Sequence, residues 1–157
     1  MPTIDELLSG VPAFAGMPSD HLELIAGCAV NQVFQDGEYL AREGDAANAF
    51  YVVRRGAVAL ETFVAQRGPL LIETLHENDL VGWSWLVPPH RTQFDVRAVG
   101  TTHVFAFDGA CLRGKCDADP ILGYDLLRRF SAVIVERLQA TRLQLTDVYG
   151  HVAADHR

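Results

Sequence analysis

Lysine is nearly missing from this 157-residue chain: Lys115 is the only one, and 13 basic against 20 acidic side chains leave a formal net charge of −7. A protein that reads nucleic-acid backbone draws much of its affinity from neutralising phosphates and so carries a basic patch. This composition argues against that role. Cysteine is scarce as well. Cys28, Cys111 and Cys116 form an odd set without the paired spacing of a zinc site, which excludes a fully disulfide-bonded secreted scaffold and points to a reducing cytoplasm. No stretch approaches the ~20 apolar residues that cross a bilayer, and MPTIDELLSG has neither the basic nor the apolar region of a secretory signal. A soluble intracellular protein without a membrane partner is expected.

Hydrophobic residues make up 49% of the chain, which excludes disorder, and at this length one core serves one domain. Residues 1–28 read as two short helices separated by Pro12, Gly16 and Pro18, with Ile4, Leu7 and Leu8, then Leu22, Ile25 and Ala26, on one face of each. Ser19 or Asp20 can cap the second. Residues 29–110 break every eight to twelve residues at turn signals such as Asp36-Gly37, Gly44-Asp45, Gly56, Pro88-Pro89 and Gly100, the rhythm of an all-β sandwich or barrel. Val58, Leu60, Thr62 and Val64 share one strand face.

Residues 111–149 form a helical region, with 150–157 as a tail. After Pro120, Leu127, Ser131, Ile134, Leu138, Thr141, Leu145 and Val148 alternate steps of four and three, the seam of a heptad repeat. A second stripe, Leu126, Phe130 and Val133, lies beside it. Two apolar faces exceed what one docking surface needs, so a homodimer through this helix is expected, or contact with another protein partner.

Gly37-Glu38-Tyr39-Leu40, Gly44-Asp45, and then Tyr51 and Gly56 within FYVVRRGAVAL resemble the cyclic nucleotide-binding domain family, which includes the catabolite activator protein and the regulatory subunits of protein kinase A. The resemblance implies a mainly β fold: an eight-stranded jelly roll with short N-terminal helices and a long closing helix. Taken by themselves, these glycines suit tight connections, and Asp45 can stiffen a turn through nearby amides.

By the same resemblance, Leu80 to Ala98 is the phosphate-binding cassette, in which a turn and a short helix offer backbone amides to a cyclic phosphate. Gly82 matches the family glycine. Trp83 stands where a glutamate accepts from the ribose hydroxyl, Trp85 where a small residue is preferred, and Thr92 in place of the phosphate-binding arginine. An indole donates one N–H and accepts nothing, so Trp83 cannot take the glutamate's role. Arg91, with His90 beside it, is the nearest group able to meet an anion. The candidate ligand-binding set is therefore Gly82, Trp83, Ser84, Trp85, Arg91 and Thr92, with Thr141 on the closing helix. The ligand is an altered small anionic effector, possible cyclic nucleotides included, or none, leaving a dimeric scaffold.

No catalytic chemistry emerges. A metal-dependent roll would bring imidazoles together from a His-x-His pair, and His21, His76, His90, His103, His151 and His156 are scattered. No Ser-His-Asp order, P-loop or dinucleotide-binding glycine pattern occurs, and nothing places a base beside a thiol. A regulatory module with no resident cofactor or metal is expected. Only HVAADHR follows Gly150, so direct DNA contact through a following helix-turn-helix is not expected.

Overall fold

The computed structural model describes the backbone of residues 2–155 and the side chains of residues 2–147. Helix α1 (Ile4–Leu8) opens with the Thr3 amide donating to Glu6 Oε2 at 3.2 Å. A single 3₁₀ turn (Pro12–Phe14) and α2 (Ser19–Ala26) follow. Pro18, in extended conformation, takes the N-cap position of α2, so neither Ser19 nor Asp20 makes the expected cap.

Six antiparallel strands form the roll: β1 (Ala29–Phe34), β2 (Tyr39–Ala41), β3 (Ala49–Val64), β4 (Gly68–Leu75), β5 (Leu80–Val81) and β6 (Asp95–Asp108). Their order is β1-β6-β3-β4, with β2 on β6 and β5 on β3. Six rather than eight are found because β3 and β6, 16 and 14 residues long, continue through positions that read as breaks. The β3–β6 register slips on either side of Arg55, and Gly56 (φ +89°) and Gly100 (φ +73°) absorb the bend as bulges do. Gly56 is sterically required: a Cβ there would lie 2.7 Å from the Thr101 carbonyl oxygen and 2.8 Å from Thr102 Oγ1.

Two apolar clusters fill the fold. One lies inside the roll and holds Phe34, Val53, Val58, Leu60, Leu75, Val96 and Val104. The other joins Leu8, Phe14, Ile25, Phe50, Phe107, Leu122 and Phe130, and so cements the helices to the roll. Helix α3 (Gly109–Ala118) is capped by Asp108, whose side chain accepts from the Cys111 amide at 2.9 Å.

Helix α4 (Pro120–Asp155) begins after Asp119 and extends past Tyr149, so residues 150–155 continue the helix rather than form a tail. Its stripe of Leu126, Phe130 and Val133 is buried on its own domain, extended by Leu122 on one side and Arg137 on the other. The heptad seam faces outward: Leu127, Leu138 and Leu145 are about half exposed, at 48%, 58% and 55%. The side chains of Val148 and His151, and His156 altogether, lie outside the described residues.

One expectation from the cysteines is overturned. Cys28, just ahead of β1, is disulfide-bonded to Cys111 in the first turn of α3, and Cys116 is free. The fold places their Cα atoms 5.9 Å apart although 83 residues separate them in sequence. With two of the three cysteines paired, the odd count no longer argues for a reducing compartment. Among the described residues, no helix is long and apolar enough to cross a membrane.

Candidate functional site

Residues 80–98 descend from β5, make two successive turns, and rise into β6. The Leu86 amide donates to the Trp83 carbonyl at 3.1 Å and the His90 amide to the Val87 carbonyl at 3.0 Å. The short helix implied for this segment does not form. Pro88 and Pro89 have no N–H to donate, so helical bonding cannot propagate through them. The loop is instead stitched to residues 44–47: Gly44 N to Thr92 O at 2.8 Å, Thr92 N to Asp45 O at 2.9 Å, and Ala47 N to His90 O at 2.8 Å. Asp45 thus contributes its backbone. The carboxylate that braces this turn is Asp95, whose Oδ1 accepts from the Glu43 amide at 2.8 Å.

Inside the roll, this loop walls a cavity of about 40 Å³ lined by Tyr51, Leu60, Val81, Gly82, Trp83, Ser84, Thr92, Gln93, Phe94, Val96 and Arg137, with alanines at positions 41, 47 and 49. Such a space holds about three waters. Thr92, Gln93 and Phe94 line it from the loop ahead of β6, and Val96 from the strand itself, so the expected strand alternation does not extend back to Thr92. Trp83 meets Phe94 edge to face, ring centroids 5.7 Å apart. On the far side of that pair lies an outer groove of about 420 Å³ that also touches Trp83, Ser84, Gln93 and Phe94, together with Glu43, Pro88, Pro89, Arg91 and Thr141.

The expected site residues therefore separate. Gly82 and Thr92 belong to the inner cavity, Arg91 and Thr141 to the outer groove, and Trp83 and Ser84 to both. Arg91 is exposed, and Thr141 Oγ1 donates to the Arg137 carbonyl at 2.9 Å. Trp85 lines neither space. It is fully buried in the core, stacked on Phe50 at 5.1 Å and edge-on to Phe130 at 5.2 Å, so it is packing rather than ligand wall. Residues 83 and 85, separated by Ser84 inside the turn that the Leu86 amide closes on the Trp83 carbonyl, thus point into different compartments.

Three polar residues in the cavity lie outside the expected site set: Gln93, whose side-chain amide donates to the Arg91 carbonyl at 2.9 Å, Tyr51 and Arg137. Tyr51 donates its hydroxyl to the Leu40 carbonyl at 3.1 Å, and burial raises its pKa above the ordinary phenol value, keeping it a neutral donor. Arg137, 5% exposed, enters from α4. Its Nη2 donates to the Leu80 carbonyl at 2.8 Å, and its Nη1 lies 3.4 Å from Glu73 Oε2 on β4. The available signal was its spacing: residue 137 continues the 126, 130, 133 stripe, where a charge on a buried face demands a partner. Among the described residues, no cluster of His, Cys, Asp or Glu is arranged to hold a metal ion.

A family model described as the cyclic nucleotide-binding domain matches residues 31–119. No curated protein matches the chain. Among solved structures, a cyclic nucleotide-binding domain from Methylobacillus flagellatus is similar with a TM-score of 0.77 at 14% identity, covering 92% of this chain and 81% of that one. The regulatory domain of Toxoplasma gondii PKA, crystallised with cAMP, gives 0.72 at 21% identity over 85% of this chain, which spans about half (49%) of that protein. The catabolite activator protein of Thermus thermophilus gives 0.69 at 20% identity, with 88% and 63% covered. At these identities the likeness is one of fold.

Proposed function

The chain belongs to the cyclic nucleotide-binding domain family, and on that premise we propose that it is a non-catalytic regulatory or sensor module whose pocket takes a small anionic effector by contacts different from the usual sugar and phosphate ones. The observation that carries this reading is the cavity behind the cassette loop. It sits where Gly82, Ser84 and Thr92 converge, and its only charged lining residue is a cation, Arg137. Trp83 occupies volume that a ribose would need and supplies no acceptor for its hydroxyl. The acidic composition supports a role without direct nucleic-acid contact.

Because the cavity is in contact with α4 through Arg137 and the groove through Thr141, occupancy can bias the position of that helix. A ligand shifts such an equilibrium only by its differential affinity for the two arrangements. Thermal unfolding against cyclic AMP, cyclic GMP, other nucleotides and small organic anions is the direct test. A ligand at about 100 times its Kd adds about 2.7 kcal/mol to stability. A panel that leaves the melting temperature unmoved rejects the effector reading.

A second reading has its own support. Leu127, Leu138 and Leu145 leave an outward apolar seam on α4, which fits a homodimer through this helix, the module then acting as a dimeric scaffold for another protein. The mass in solution, against 17.3 kDa for one chain, tests the dimer independently of any ligand.

A further inference from the structure

The cassette has lost its arginine, with Thr92 in that place, yet the cavity is not without positive charge. Arg137 reaches it from the opposite side, from a helix turn that packs over β4 and β5. Its guanidinium is buried but loosely held. A guanidinium has five N–H donors, and the single hydrogen bond it makes among the described residues is the one to the Leu80 carbonyl. Glu73 Oε2, at 3.4 Å, is buried and makes no hydrogen bond of its own, so the pair is an ionic contact without hydrogen-bonding geometry. Spare donors on a buried cation, facing a mostly apolar space, form an anion site that is incomplete until something fills it.

Resting on the effector reading above, we infer that the ligand is a monoanion with a flat, largely apolar body, and that Arg137 on α4, not the cassette loop, reads its charge. Arg137 carries one positive charge, already faced by Glu73 at 3.4 Å and, from the solvent side, by the exposed Glu136 at 3.9 Å. An arriving ligand must therefore take the place of the Glu73 carboxylate, an exchange that suits one negative charge and not two. Tyr51, Trp83 and Phe94 provide flat faces, and the Ser84 and Thr92 hydroxyls provide donors at the rim. Any such ligand exceeds 40 Å³, so the Trp83–Phe94 contact must open and join the inner cavity to the outer groove. The arriving anion competes with Glu73 for the guanidinium and thereby loosens the tie between α4 and β4. Charge recognition and helix release are then one event.

Cyclic nucleotides and aromatic carboxylic acids share this chemistry, and titration calorimetry separates them. Cyclic AMP, cyclic GMP, benzoate and indole-3-acetate are titrated into the full chain, with benzamide as the uncharged control. Each is repeated on Arg137→Gln, Arg137→Lys and Glu73→Gln, all confirmed folded by circular dichroism. The acids or the cyclic nucleotides, whichever bind, are expected to outcompete benzamide. Arg137→Gln should weaken them by about 10- to 100-fold, the worth of a hydrogen bond to a charged group. Arg137→Lys should restore part of the loss, and Glu73→Gln, which removes the competitor, should tighten binding. A probe that binds the parent and Arg137→Gln equally overturns the inference while leaving the effector reading intact. Should no probe bind the parent chain, the two fall together.

Discussion

Reduction of the Cys28–Cys111 bond offers the most quantitative test of how the fold is tied. The bond closes a loop of 83 residues. In the chain-entropy treatment, a closure of that length raises stability by about 4.5 kcal/mol at 25 °C, because the cross-link removes freedom from the unfolded chain. For a domain of this size, that corresponds to a fall of about 9–18 °C in melting temperature on reduction. The reduced protein should still fold. The Asp108 amide donates to the Cys28 carbonyl at 3.0 Å, Lys115 Nζ donates to the Leu24 carbonyl at 2.6 Å, and His21 lies 3.5 Å from Asp119, so other contacts also join α2 to α3. The assay is thiol titration in denaturant beside guanidinium unfolding, with and without reductant. One thiol, Cys116, should titrate before reduction and three after, and a Cys28→Ser, Cys111→Ser double variant should be indifferent to reductant. Three titratable thiols in unreduced protein, or an unfolding curve that reductant does not move, would refute the reasoning.

Trp85→Ala should cost about 3–5 kcal/mol by urea unfolding, the range for a large buried aromatic; a loss under 1 kcal/mol would mean the side chain is not core. Trp83→Glu should enlarge the cavity and supply an acceptor for a ribose hydroxyl, so calorimetry with cyclic AMP should show tighter binding than the parent, and no gain would remove Trp83 as the obstacle. Leu138→Glu places a charge in the exposed seam and should convert a dimer to a monomer in light scattering; an unchanged mass would place the contact elsewhere. Gly56→Ala forces a Cβ to within 2.7 Å of the Thr101 carbonyl oxygen at φ +89°, and should cost about 1–3 kcal/mol or more, read from the denaturation midpoint. Native Cys116, its pKa raised first by burial and then by the charges of Asp117 and Asp119, should alkylate slowly at neutral pH and faster as pH climbs past the ordinary thiol range; rapid modification at pH 7 would contradict that placement.

Much of the architecture was legible without coordinates, because the patterns that announce it are local. Turn residues spaced by strand lengths, apolar alternation in Val58 and Leu60, and the stripe of Leu126, Phe130 and Val133 each follow from the period of one element. The loop at 80–98 is marked by local signals too, Gly82 with its φ of +94° and the Pro88-Pro89 pair, although the short helix implied there does not form. Gly56 shows where local signals stop. Glycine marks equally a turn that ends a strand and a bulge that bends it, and only the pairing of β3 with β6 decides between them.

Three features came from tertiary structure alone. Trp83 and Trp85 are nearly identical in sequence context, yet one walls the cavity and the other fills the core, since the turn that holds both sends their side chains to different compartments. Cys28 and Cys111 meet only because β1 and β6 lie side by side. Most of β6, all of α3 and the first half of α4 separate Arg137 from the cassette, and no spacing rule links it to Gly82; the packing of α4 over β4 and β5 brings them to one cavity. The sequence by itself determined the succession of short helices, β region and closing helix, because those depend on backbone geometry within a few residues; strand ends, the cassette turns and the last turn of α4 did not follow from it. The shape and charge of the pocket were decided by contacts between residues far apart in the chain, which exist only once the core has closed.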